Sequence, residues 1–348
     1  MKTLNLRQTG VALALSLICF GSQAANVSTP FSVTTPIGAQ WSISNQSYSG
    51  DPSGAVLNIN DASFAGGSDA YDSGWLVSVN GTYFSAATVN LEGTSVSAPA
   101  SSMSGLNVSV KYYFAPNSAV ARILVTLQNP TAAPIAANVR TATNFGSESG
   151  TTLRTTSSGD NSLDLADRWL VTSDGGPSDP VNTSVLYGPG VVAEAPTAYS
   201  TVVHNGAGTQ GISATFDLSV PAGQTQTLLF FAGLGNITSV GNTVAGAIAA
   251  AGAFNNNSTI PGEWLQGLSQ SEINQAVNWN PVGLMFTPTT TCASSGYTYT
   301  QLEWCKNICE RGYTGNTLNM WIRRWIERYR QLPYCAAPPP PPPPPQET

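Results

Sequence analysis

Residues 106–130 read LNVSVKYYFAPNSAVARILVTLQNP, and their pattern decides the fold. Leu106 to Phe114 alternates on both sides of Ser109, the period-two mark of a strand with one face on a core. Val120 to Leu127 is apolar except for Arg122 and Thr126, as in a strand buried on both faces. Asn129-Pro130 ends it. Similar signals surround this pair. Trp75 to Val79 alternates, Asn80-Gly81 supplies a type I′ turn, and Tyr83-Phe84 resumes. Ile135 to Thr143, Trp169 to Thr172, Ser184 to Tyr187, Gly211 to Val220 and Thr225 to Ala232 complete the strand set, with Pro221-Ala-Gly223 as a turn. Runs of this length, broken by Gly, Pro, Asn and Asp, predict a packed antiparallel sandwich.

Helices are expected after the strands. Ser239 to Phe254 is Ala-rich. Ser269-Gln-Ser-Glu272 is a capping box, predicting a helix to about Trp279 that Pro281 closes. The fold class is therefore mainly β: a large antiparallel two-sheet sandwich with a small disulfide-stapled helical hairpin at the C-terminus. The expected division is 1–25 leader, 26–287 sandwich with its C-terminal helices, 288–337 Cys-rich αα-hairpin and 338–348 polyproline tail.

The first residues resemble a secretory leader. Lys2 and Arg7 precede an apolar run from Val11 to Phe20, and Ser22-Gln23-Ala24 supplies the small-x-small cleavage site. The apolar run is too short to span a bilayer, which takes roughly 20 residues. An exported chain is expected, in the periplasm, on the cell surface or outside the cell. Only 9% of residues are charged, so solubility rests on Ser, Thr and Asn. Between Asn26 and Tyr299, 15 acidic residues face five basic ones, a net charge of −10. That acidity argues against nucleic acid as a partner of the main body. From Thr300 onward six bases meet four acids, a net +2.

A resemblance emerges from the order of short motifs. Arg122-Ile-Leu-Val-Thr-Leu-Gln-Asn-Pro is followed by Gly146-Ser-Glu-Ser-Gly-Thr-Thr, Ser158-Gly-Asp160 and Asp167-Arg-Trp-Leu-Val-Thr-Ser-Asp174. Val220-Pro-Ala-Gly-Gln-Thr and Gly267-Leu-Ser-x-x-Glu…Asn278-Trp279 come after. Together, over roughly residues 45 to 280, they resemble a β-sandwich module of unassigned function that recurs in secreted bacterial proteins. The resemblance implies a large two-sheet sandwich, similar to those around which carbohydrate-active proteins are built, and no activity. The four-cysteine tail likewise resembles C-terminal extensions of exported bacterial proteins.

Chemistry-bearing residues are sparse. His204 is the only histidine, so a Ser-His-Asp arrangement would have to use it. The plainer reading is a turn histidine. Glu148, in the Gly146–Gly150 loop, is the glutamate best placed for glycoside chemistry, which needs two carboxyls flanking the bond. Its plainer reading is a solvated loop acid. Asp160, Asp164 and Asp167 bring three carboxylates within eight residues, a hard-oxygen set suited to calcium. Loop aspartates also cap turns. No other cofactor is expected. Trp41, Tyr48, Tyr71, Trp75, Tyr112, Tyr113 and Trp169 are candidates for stacking on sugar rings, with core packing the simpler role for the tryptophans.

The tail carries Cys292, Cys305, Cys309 and Cys335. An even, clustered set in an exported chain predicts two disulfides. Cys305 and Cys309 lie one turn apart on a helix, so each should reach a flanking cysteine. Cys292–Cys309 with Cys305–Cys335, and the crossed alternative, both remain open. Gln301 to Arg311 predicts one helix, and Thr317 to about Gln331 a second. Leu318, Trp321, Ile322, Trp325 and Tyr329 share its apolar face, and Glu327 is placed to pair with Arg323 or Arg324. That face closes a small core over the disulfides in one reading. In the sharper reading Trp321, Arg324, Trp325 and Arg328 contact a partner, an anionic lipid or lipopolysaccharide. The expected function is a non-enzymatic exported binding or adhesion module for glycan or a cell-envelope component. The alternatives are a carbohydrate-active enzyme, or membrane binding through the C-terminal helix.

Overall fold

The computed structural model describes residues 24–46, 54–201, 211–280, 292, 297–311, 313 and 315–329. The leader before Ala24, Tyr48, His204, the linker around Pro288, Cys335 and the polyproline run lie outside them.

Two large antiparallel sheets form the body. In spatial order the first contains Ala25–Ser28, Thr88–Glu92, Ser95–Ser97, Leu106–Phe114, Val120–Gln128, Thr225–Leu234, Asn182–Val185, Trp169–Ser173 and Thr152–Thr156. The second runs Ala198–Ser200, Gly211–Val220, Ile135–Phe145, Tyr71–Val79, Asn58–Ser63, Gln40–Ser44 and Phe31–Thr34.

The quoted strand pair explains the layering. Val108 faces Leu127, Val110 faces Val125 and Tyr112 faces Ile123. These side chains enter the main core between the sheets, with Trp41, Trp75, Phe216 and Phe230. Trp41 stacks on Phe114 at 5.3 Å. On the other face Tyr113, Val120 and Leu124 join Trp169, Leu229 and Phe231 in a second core. That core is closed by helix α1 (Val244–Ala251), the 3₁₀ turns Gly252–Asn255, Asn257–Thr259 and Gly262–Leu265, and helix α2 (Gln270–Asn274). The apolar run at Val120 is thus buried on both faces because a helical layer covers the outside of its sheet. Phe231 is central to that layer, with Phe254 at 5.2 Å and Trp279 at 5.3 Å.

The polar exception in the run has its own partner. Arg122 is fully buried. Its Nη1 donates to the Trp264 carbonyl at 3.0 Å and the Gln266 carbonyl at 2.7 Å. The guanidinium lies 4.8 Å from the ring centroid of Tyr113, its cross-strand neighbour. Burial pulls its pKa down to about 10, still far above neutrality, so it stays charged.

Three expectations shift. The helix opened by the capping box forms, with Glu272 N–H donating to Ser269 Oγ at 3.1 Å and Ser269 N–H to Glu272 Oε2 at 2.7 Å. It stops at Asn274 rather than Trp279. Asn182–Val185 pairs only with residues 231–234 of Thr225–Leu234, leaving positions 227–229 open at that edge. Residues 275–278 take the place: Thr227 N–H donates to the Gln275 carbonyl at 2.8 Å and Val277 N–H to the Thr227 carbonyl at 2.9 Å. Strand donors and acceptors outbid local helix propensity there. The strand expected at Ser184 to Tyr187 is Asn182–Val185. The second tail helix starts at Gly315, before Thr317.

In the tail, helices α3 (Tyr299–Cys309) and α4 (Gly315–Tyr329) pack together. Cys292 and Cys305 form a disulfide, S–S 2.06 Å and Cα–Cα 5.7 Å. Cys292, Cys305 and Trp325 form a buried cluster of their own, flanked by Tyr297, Leu302, Trp304, Ile308 and Tyr329. This bond rules out Cys292–Cys309, and Cys309 is also disulfide-bonded; Cys335 lies outside the described residues. Two of the three neighbouring sulfurs are bonded to each other, which removes them as thiolate ligands for zinc.

Candidate functional site

Most residues nominated from sequence are structural. Trp41, Tyr71, Trp75, Tyr112, Tyr113 and Trp169 are all buried, so none offers an open face to a sugar. Trp169 Nε1 donates to Asn255 Oδ1 at 3.0 Å, tying its strand to the helical layer.

The Asp160–Asp167 loop is a set of turns. Asp160 Oδ1 accepts from Ser162 N–H at 3.0 Å, and this bond holds its carboxyl below the usual range. Asp164 Oδ1 accepts from Ala166 N–H at 2.8 Å. Asp167 is buried and accepts from Ser158 N–H at 3.1 Å and Asp164 N–H at 3.0 Å. The motif pair Ser158…Asp167 is therefore one closed loop. Among the described residues, the group of three or more His, Cys, Asp or Glu with ligand atoms within 4.8 Å of one another is the cysteine set.

One open feature among the described residues is a cavity of about 300 Å³ between strands of the two sheets. Leu153 and Leu170 of the first sheet, Phe145 of the second and Leu163 from the loop give it apolar walls. Thr151, Asn161, Ser162, Thr172 and Thr201 supply hydroxyl and amide groups, and no lining residue is charged. Thr172 is only 5% exposed and its Oγ1 has no hydrogen-bond partner. A buried hydroxyl without a partner is unfavourable by about 1–3 kcal/mol, and this one is closed off from the open space of the cavity. Thr201 and Gly211, which also line it, flank residues 202–210, where His204 lies outside the described set. A second recess of about 380 Å³, around Thr29, Asn45 and Ala55, has no aromatic or branched aliphatic wall.

Beside the cavity the chain gathers acids. Glu148 opens the 3₁₀ turn Glu148–Gly150 that leads into Thr151, and Asp174 lies two residues beyond Thr172. Burial lifts the Glu148 carboxyl above its ordinary value, and Asp69 and Asp179 lift it further. Asp179 is raised by burial, then by Asp174 and Asp69. Asp69 and Glu148 both have positive φ, 67° and 41°, which side chains rarely adopt. Gly146 permits the approach, since a Cβ there would lie 2.1 Å from the Asp69 carbonyl oxygen. Sequence reasoning singled out Glu148, and the aspartates meet it only in three dimensions. It missed the cavity, whose lining comes from separate strands and the loop at residues 161–163.

This acid group gives a pH prediction. A carboxyl raised in the folded state binds its proton more tightly there than when unfolded. Its contribution therefore declines as pH rises from the ordinary carboxylate value through the raised one. Glu148→Gln and Asp179→Asn should each raise the unfolding midpoint at pH 7 by about 1–2 °C, since solvent screens these partly exposed groups. The gain should shrink toward pH 4, as the carboxyls take up protons. Equal gains at both pH values would contradict the coupling.

No protein-family model and no curated protein matches the chain. Solved structures are distantly similar. A putative kojibiose phosphorylase from the human microbiome is 8% identical with a TM-score of 0.39, over 66% of this chain and 33% of that one. A galactose mutarotase-like protein from Lactobacillus casei is 9% identical with a TM-score of 0.37, over 59% of this chain and 100% of that one. A heparinase III is 9% identical with a TM-score of 0.34, over 59% and 35%. The chain spans about a third of the length of the phosphorylase. None of the described helices is long and apolar enough to cross a membrane, and the disulfide fits an oxidising environment.

Proposed function

We propose that this protein is an exported, non-enzymatic binding module that takes a neutral glycan in the cavity between its sheets. The observation that carries the reading is the cavity's chemistry: uncharged hydroxyl and amide groups over Phe145 and aliphatic walls. Sugars present this mixture, apolar C–H faces edged by hydroxyls that both donate and accept. At about 300 Å³ the space is at the lower end for ligand pockets, suited to one or two sugar rings. The leader-like N-terminus and the disulfide support export.

Asn161→Leu keeps the size and removes the exposed amide that lines the cavity. On a neutral-glycan array followed by titration calorimetry, it should weaken binding about tenfold, the worth of one hydrogen bond, with the midpoint unchanged. Unaltered affinity would place the ligand elsewhere.

One observation favours a second reading, a carbohydrate-active enzyme: the raised Glu148 carboxyl next to other acids, as a general acid requires. Turnover of glycoside substrates that disappears in Glu148→Gln would replace the binding-module reading with this one.

A further inference from the structure

α4 turns its aromatic side inward and its charges outward. Trp325 is fully buried against the disulfide, and Trp321 and Ile322 are half-buried. Arg323, Arg324, Glu327 and Arg328 are exposed. Residues four apart are neighbours on a helix surface, so Arg323 adjoins Glu327, Arg324 adjoins Arg328, and the two pairs lie side by side on the outward half of the helix. The sequence placed Glu327 to neutralise Arg323 or Arg324. Among the described residues no ion pair holds any of these three arginines. Instead the Arg324 guanidinium lies 5.2 Å from the Trp321 ring centroid, and that of Arg328 lies 6.0 Å from Tyr329. An aromatic ring steadies a cation without removing its charge.

Several bases elsewhere are held by internal partners. On α3, Lys306 pairs with Glu303 at 3.2 Å and Arg311 with the same carboxylate at 2.5 Å. On the body Lys111 pairs with Glu272 at 2.6 Å, Arg122 is buried, and Arg168 Nη2 donates to Asn255 at 3.1 Å. The α4 stripe therefore carries uncompensated positive charge, joined to a body with a net charge of −10.

We propose that this stripe docks on an anionic phospholipid surface. A guanidinium fork matches the geometry of a phosphate, and three of them on one convex helix face form no groove for a single small anion. They suit a flat array of mobile phosphates. Trp321, half-buried beneath Arg324, supplies the amphipathic ring that settles at headgroup depth. The acidic body is repelled by the same surface, so contact is confined to the tail and the sandwich is held outward. Trp325 takes no part, because it is core.

The test is co-sedimentation of the full chain with vesicles of phosphatidylglycerol and phosphatidylcholine, against phosphatidylcholine alone. Binding should require the anionic lipid and fall steeply with salt. Each arginine near such a surface is worth about fivefold in partitioning, so R323Q/R324Q/R328Q should bind roughly a hundredfold more weakly. Glu327→Gln removes the one negative charge of the stripe and should tighten binding about fivefold, a gain that misfolding cannot mimic. Non-reduced peptide mapping of Cys292–Cys305 confirms an intact tail in each variant. Absence of binding to anionic vesicles at low salt, equal binding to neutral ones, or indifference to these substitutions would overturn the proposal. So would a lipid-free self-association that the arginine changes abolish, which would make the acidic body of a second copy the occupant.

Discussion

Asn278→Asp should destabilise the body by about 3–5 kcal/mol at neutral pH, the range for breaking a buried, fully bonded polar group and leaving charge behind. Asn278 is completely buried. Its Nδ2 donates to the Leu186 carbonyl at 3.0 Å and the Leu229 carbonyl at 2.9 Å, while Oδ1 accepts from Leu229 N–H at 2.8 Å. The side chain thus stands in for a strand backbone where Thr225–Leu234 lacks a full neighbour. Aspartate has the same shape but would aim an oxygen at two carbonyls. The folded state would hold its proton tightly, so the loss should grow as pH rises through the raised pKa and shrink in acid. Urea unfolding at pH 7 and pH 4.5 measures both. A penalty under about 1 kcal/mol, or one independent of pH, would mean that the segment is not held this way.

Arg122→Ala should cost about 3–4 kcal/mol. It leaves the Trp264 and Gln266 carbonyls without their shared donor, each an unfavourable buried acceptor, and opens a void under Tyr113. The damage should centre on the helical layer. Hydrogen exchange at residues 262–268 should accelerate more than at Leu106–Phe114, whose ladder to Val120–Gln128 is backbone-made. Arg122→Lys keeps the charge without the planar fork and should recover only part of the loss. Uniform loosening of both regions would show that Arg122 acts on the sandwich core instead.

These two residues mark how far the sequence could be read. Strands with one buried face were plain: Leu106–Phe114 and Gly211–Val220 lie where their alternation puts them. Asn80 and Gly81 have the positive φ values, 49° and 79°, that their turn requires. Asn58–Ser63, reading NINDAS, has little apolar contrast and was missed; it is a strand because Gln40–Ser44 pairs with it. Arg122 stood out in an apolar run, yet its acceptors lie more than 140 residues away. The same distance hid the site. The cavity joins Phe145, Thr172 and Gly211 from three strands, and no local pattern announces such a meeting. The motifs behind the resemblance have physical duties. Ser269 and Glu272 cap a helix, Asp167 closes a loop, and Trp279 Nε1 donates to Asn257 Oδ1 at 2.9 Å inside the helical layer. They preserve a fold, which is why they named no chemistry.

The central claim is that the cavity between the sheets is the ligand site. Ser162→Trp places a large ring at its mouth without touching the two buried cores, so the unfolding midpoint should stay within a few degrees of the parent. The decisive measurement is the neutral-glycan array with parent and Ser162→Trp side by side. The expected result is a defined set of neutral glycans bound by the parent and lost on occlusion. Glycan binding that survives in the occluded variant would contradict the account.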